Sequence, residues 1–189
     1  LATDQEVLGS TPSRRTNKEE YENIFRKISY IFFCNCFYNI DVDDNINLMN
    51  KKFKQISTKP GFMRFNGGLL LRKISKNEFE FKVKIKKNHL NQAGITHGGY
   101  IASIIDSGSG TAARLASNVA PCVTISLDIQ FIGASNLCDE LIGNTKIQKI
   151  TNTMIFLVCT LRCKGKIIAS ASGIWKKISK SFKALKNKK

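Results

Sequence analysis

"HGGYIASIIDSGSGTAARLAS" occupies residues 97–117 and reads as a helix. Small residues dominate it, so other elements can approach closely. Gly108 and Gly110 would each cost about 1 kcal/mol inside a helix, so they call for a packing reason or mark a bend. Upstream, "GGLLLRKISKNEFEFKVKIKK" (67–87) holds two strands around a turn at Lys76 and Asn77. In the second strand Phe79, Phe81, Val83 and Ile85 alternate with Glu80, Lys82, Lys84 and Lys86, the period of a half-buried strand. Downstream come "CVTISLDIQFIG" (122–133), "DELIGNTKIQKI" (139–150), "NTMIFLVCTLRC" (152–163) and "KIIASASGIWKKI" (166–178), with Asn152 and Lys164-Gly165 at turns. The order is β-β-α-β-β-β-β. One small-residue helix among about six strands predicts an α+β fold, an antiparallel sheet curled around a central helix.

That domain is expected over residues 61–178. Ahead of it, residues 1–60 form an extension, polar and disordered at first, with one amphipathic helix from Lys18. The apolar run at 30–40 is expected to be buried, and 41–61 to be a connector with a short helix. Residues 179–189 form a basic tail. The chain has 189 residues and a net charge of +16. Residues 1–50 carry a net −3, whereas residues 51–189 carry +19. The later part therefore attracts anions. Nucleic acid is disfavoured, because Lys outnumbers Arg and no basic patch interleaved with aromatics appears. Six cysteines without a CxxC pair and only two histidines exclude a zinc finger and suggest reduced, buried thiols. No run of eighteen apolar residues exists, so no spanning helix is expected. The expected location is cytoplasmic, with mitochondria the alternative.

One constellation carries chemistry. Asn91, His97-Gly98-Gly99 and Asp106 stand at N(x5)HGG(x6)D spacing, followed by "VTISLDIQFI" at 123–132. This pattern closely resembles the hotdog-fold acyl-CoA thioesterases of the PaaI-like class, relatives of 4-hydroxybenzoyl-CoA thioesterase. The likeness covers roughly residues 65–176. It implies a hotdog fold, a homodimer commonly paired into a homotetramer, and hydrolysis of acyl-CoA to a free acid and CoA. No metal or separate cofactor is implied; coenzyme A is part of the substrate. The carboxylate matching Asp106 would be general base or nucleophile, and Thr124 matches a hydroxyl that orients the water.

The spacing has its own physics. A helix start offers free N–H groups and a positive dipole end, and glycine lets a substrate come close. Gly98 is therefore the expected oxyanion donor, with Gly99 beside it contacting substrate. Asn91 would hold the carbonyl or the water, and His97 would shape the turn. Nine residues at about 100° each place Asp106 opposite His97 and about 13 Å along the helix. One chain cannot then bring Asp106 to its own Gly98, so a composite site shared by two copies is expected. Burial among Ile101, Ile104, Ile105 and Ala112 would raise the Asp106 pKa. Lys146, Lys149, Arg162 and Lys164 are candidates for CoA phosphates. Two rivals stand beside this reading: a hotdog dehydratase, and a non-catalytic acyl-CoA or partner-binding module.

Overall fold

The computed structural model describes residues 52–178. The extension up to residue 51 and the tail 179–189 lie outside the described residues, as do the expectations that fall on them. Seven strands form one sheet: β1 (Lys54–Gln55), β2 (Leu70–Ser75), β3 (Glu78–Lys84), β4 (Cys122–Phe131), β5 (Glu140–Ile150), β6 (Met154–Cys163) and β7 (Lys166–Lys177). Their order is β1-β2-β3-β5-β6-β7-β4, and every pairing is antiparallel. A one-turn helix, α1 (Phe62–Phe65), a 3₁₀ turn (Lys87–His89) and the central helix α2 (Gly98–Ala116) complete the domain. The helix touches β3 through β7. This is the expected hotdog arrangement, with one strand more than the sequence pattern disclosed.

The added strand is β1. It pairs with Leu70 and Leu71 ahead of the boundary expected at residue 61. The connector with a short helix expected over 41–61 lies partly outside the described residues; over 52–61 the chain forms this strand, and a helical turn follows at Phe62–Phe65. Phe53 explains the attachment: its ring centroid lies 4.5 Å from the Arg72 guanidinium carbon and 4.8 Å from Lys82 Nζ, so two cations meet one ring.

The sheet's inner face follows from alternation. Phe79, Phe81 and Val83 of β3, Leu141, Thr145 and Ile147 of β5, and Ile155, Leu157, Cys159 and Leu161 of β6 are buried. Against them α2 lays Ile101, Ile104, Ile105, Gly108, Ala112 and Ala113. Gly108 has the packing reason its sequence position demanded. A Cβ there would sink into the Phe81 ring, and a Cβ at Gly143 of β5 would meet the same ring from another side. Phe81 is fully buried between helix and sheet. Its thickness sets how closely α2 lies on the strands. No helix among the described residues is long and apolar enough to cross a membrane.

Candidate functional site

The site begins at the start of α2. His97 is the N-cap, and its Nδ1 accepts the Gly99 N–H at 2.9 Å. Its carbonyl accepts from Tyr100 and Ile101 N–H at 2.9 and 3.1 Å. One residue is passed over: among the described residues no acceptor meets the Gly98 N–H. A free amide at the positive end of a 19-residue helix is a ready donor to developing negative charge. The Phe131 ring, at the far end of β4, stands 3.6 Å from where a Gly98 Cβ would be. Phe131 is 56% exposed. Sequence reasoning gave this aromatic no role, although it closes the strand motif.

The loop before the helix is closed on itself. Asn91 Oδ1 accepts the Ala93 and Ile95 N–H groups at 2.9 and 3.3 Å, and Asn91 N–H donates to Ile95 O at 2.8 Å. The Asn91 carboxamide oxygen is thus spent on building the turn. That leaves only its amide nitrogen for a substrate. A bridge between Leu90 and Thr96 ties the two arms of this loop.

Asp106 sits two turns further along α2, and Thr124 of β4 comes to it. Thr124 Oγ1 donates to Asp106 Oδ1 at 2.6 Å, the short distance of a charge-assisted bond. Burial pushes the Asp106 carboxyl above the usual carboxylate range, and the Thr124 hydroxyl pulls part of the way back. A carboxylate so raised accepts a proton more readily than an ordinary one, as general base work requires. Gly98 and Asp106 both border β4, at Phe131 and Thr124 respectively. Their separation is axial: eight residues of α2 amount to about 12 Å.

The basic candidates gather elsewhere. Thr145 faces the helix, where its hydroxyl meets Ser109 Oγ at 3.2 Å, so its neighbour Lys146 points to the outer face of the sheet. Lys146, Arg162 and Lys164 border a depression of about 540 Å³ there, together with Glu78 and Glu80. Each has a partner. Lys146 Nζ is 3.8 Å from Glu78, Arg162 donates to Gly165 O at 3.2 Å, and Lys164 meets Asp139 at 2.8 Å. Lys149 is exposed on β5 beyond a bulge. Within one protomer the sheet separates this outer cluster from Asp106. Among the described residues no three His, Cys, Asp or Glu side chains gather where a metal ion could be held.

Comparison with known proteins gives this geometry its context. Residues 93–169 match the model of the thioesterase superfamily. Acyl-coenzyme A thioesterase 13 of Mus musculus is 29% identical over 112 residues, covering 58% of this chain and 80% of that protein. Among solved structures, zebra fish thioesterase superfamily member 2 aligns at a TM-score of 0.59 with 23% identity, over 65% of this chain and 90% of the other. A hypothetical thioesterase protein from Streptococcus pneumoniae, solved with coenzyme A, aligns at a TM-score of 0.53 with 18% identity, over 60% of this chain and 88% of that one. At these identities the two structures establish the fold.

Proposed function

We propose that this chain, a member of the thioesterase superfamily through its hotdog domain, hydrolyses acyl-CoA to a free carboxylic acid and CoA. The observation that carries the reading is a part-buried carboxylate, Asp106, bonded to the Thr124 hydroxyl, on a helix whose first amide, Gly98 N–H, meets no acceptor among the described residues. In the general-base form, Asp106 takes a proton from water as the oxygen attacks the thioester carbonyl. The carbonyl oxygen, now negative, is held by the Gly98 N–H. The carbon–sulfur bond then breaks, and the thiolate leaves as CoA with the proton from Asp106. In the nucleophilic form, Asp106 attacks the carbonyl carbon, the carbon–sulfur bond breaks to release CoA thiolate, and water then cleaves the resulting anhydride, restoring the Asp106 carboxylate, freeing the acid and supplying the proton for the thiolate. A single oxyanion donor is worth about 10²–10³ in kcat, and general base catalysis about 10²–10⁴.

The separation of about 12 Å along α2 requires a second copy. We infer a two-fold homodimer in which Asn91, His97, Gly98 and Gly99 of one protomer face Asp106 and Thr124 of its partner. Dimers paired into tetramers are the assembly we expect. Support comes from β4, which among the described residues has no strand on its outer side and carries Ile125 and Phe131 exposed, with Ile132 following. Lys146, Lys149, Arg162 and Lys164 remain our candidates for the CoA phosphates, supplied across a subunit boundary because the sheet screens them from their own Asp106. The four described cysteines are free thiols, which fits the reducing cytoplasm in which we place the reaction. The domain limits of 61–178 move in this reading to include β1.

The test is thiol release across short, medium, long and aromatic acyl-CoAs, with Asp106→Asn as control. Wild-type release with loss of at least about a hundredfold in the variant is expected. Full activity in Asp106→Asn overturns the mechanism. CoA-ester binding without any thiol release turns the assignment to the binding module.

A further inference from the structure

His89 showed no signal in the sequence beyond its place in a loop, yet it is buried at the foot of the active helix. Its ring nitrogens have fixed partners. Lys86 N–H donates to Nδ1 at 3.1 Å, and Nε2 lies 2.9 Å from Asn66 O. An amide N–H can only donate and a carbonyl can only accept, so the ring must be neutral with its proton on Nε2. The imidazole stacks on Tyr100 of α2, with centroids 3.8 Å apart and planes inclined by 19°. Tyr100 OH donates to the same Asn66 carbonyl at 3.2 Å. The His89 carbonyl accepts the His97 N–H at 2.8 Å, one residue before Gly98. One residue therefore joins the end of α1, the 3₁₀ turn and the first turn of α2.

Resting on the reading of Gly98 as oxyanion donor, we propose that His89 is a positioning residue for that donor and that its protonation releases it. The carbonyl holds His97 in place, and the stack fixes the azimuth of the first turn. Together they aim the Gly98 N–H. A proton on Nδ1 would face the Lys86 N–H, donor against donor, and the anchor to the 3₁₀ turn would fail. The titratable groups around the ring are Lys86 on its own turn and Tyr100 on α2; α1 contributes the uncharged Asn66 carbonyl. Burial lowers the His89 pKa, the Asn66 bond raises it, and the Lys86 charge lowers it further. The ring thus stays neutral at neutral pH, and the anchor is lost only on the acid side.

The experiment compares the full-length protein with His89→Phe, which keeps volume and stacking but loses both ring hydrogen bonds. Thiol release is followed against pH, with Asp106→Asn in parallel. A misaimed donor should lower kcat about 10–100-fold and leave KM within about threefold, since misplacements near 1 Å cost on that scale. Wild-type kcat/KM should fall with the second power of proton concentration at acid pH, one proton for Asp106 and one for His89. His89→Phe should fall with the first power. Should His89→Phe not fold, His89→Gln, whose amide can still donate to Asn66 O, takes its place under the same criteria. Wild-type kcat in the variant, or a first-power limb in both proteins, overturns the proposal. Full activity in Asp106→Asn would instead overturn the reading on which it rests.

Discussion

Replacing Gly108 with alanine sets two opposing effects against each other. Alanine is better than glycine in a helix interior by about 0.8–1 kcal/mol, so propensity alone favours the change. The new methyl, however, enters the space of the Phe81 ring, which is fully buried. Gly143 already lets that ring press against β5, so the ring cannot retreat in that direction. Overpacking a rigid core site costs about 1–3 kcal/mol, and a ring hemmed in on two sides belongs at the upper end. The net expectation is destabilisation by about 1–2 kcal/mol. For a domain of this size that lowers Tm by roughly 3–10 °C, read by near-ultraviolet circular dichroism. The helix must also lift, and Asp106 is only two residues from Gly108. The 2.6 Å contact with Thr124 should lengthen, lowering kcat about tenfold or more at temperatures where the variant is folded. A Phe81→Leu change in the same chain should return part of the loss, with a coupling of about 0.5–3 kcal/mol in the double-mutant cycle. If Gly108→Ala melts above wild type, the ring is not clamped and the account of helix placement is wrong.

Further outcomes follow from the same geometry. Asp106→Asn should be inactive yet more stable near neutral pH by about 1 kcal/mol, the scale on which active sites trade stability for function. Because the folded carboxyl is pushed up, its contribution is full in acid and lost as pH rises through the folded value. The melting curves of wild type and Asp106→Asn should therefore converge on acidification; a constant gap at all pH values contradicts the burial argument. Thr124→Val removes the one group that lowers the Asp106 pKa, so the acid limb of kcat/KM should move to higher pH while kcat falls about tenfold. Among the described cysteines, Cys138 is exposed, whereas Cys122, Cys159 and Cys163 are buried with thiols pushed up, Cys159 to about 11. Iodoacetamide at neutral pH followed by peptide mapping should label Cys138 first and the other three only on unfolding.

Much of this fold was legible where a period or a turn announced it. The helix read over 97–117 spans Gly98–Ala116, and Phe79, Phe81 and Val83 point inward as their alternation requires. β1 was not legible, because two residues carry no period. Its anchor, Phe53, works only once β2 and β3 bring Arg72 and Lys82 over the ring. The Asp106–Thr124 pair was reachable only through the family resemblance, since no local rule links a helix carboxylate to a strand hydroxyl 18 residues on. His89 escaped because its partners are a carbonyl 23 residues away and a ring on another element. The four basic candidates could not be assigned a face, since bulges at Ile147/Lys149 and Leu161/Arg162 break the alternation that would have placed them.

β4 has a consequence for handling the protein. Its ten residues, "CVTISLDIQF", include one charge, Asp128, and neither lysine nor proline. Soluble sheets commonly blunt their margins with such residues, because a bare row of amides and carbonyls is a template for the next strand that arrives. Among the described residues no strand covers this long margin, and a bound neighbour of the kind proposed would mask it. Dilution that separates the neighbours should therefore bring turbidity as well as lost turnover, and a storage concentration chosen too low would be as damaging as one chosen too high.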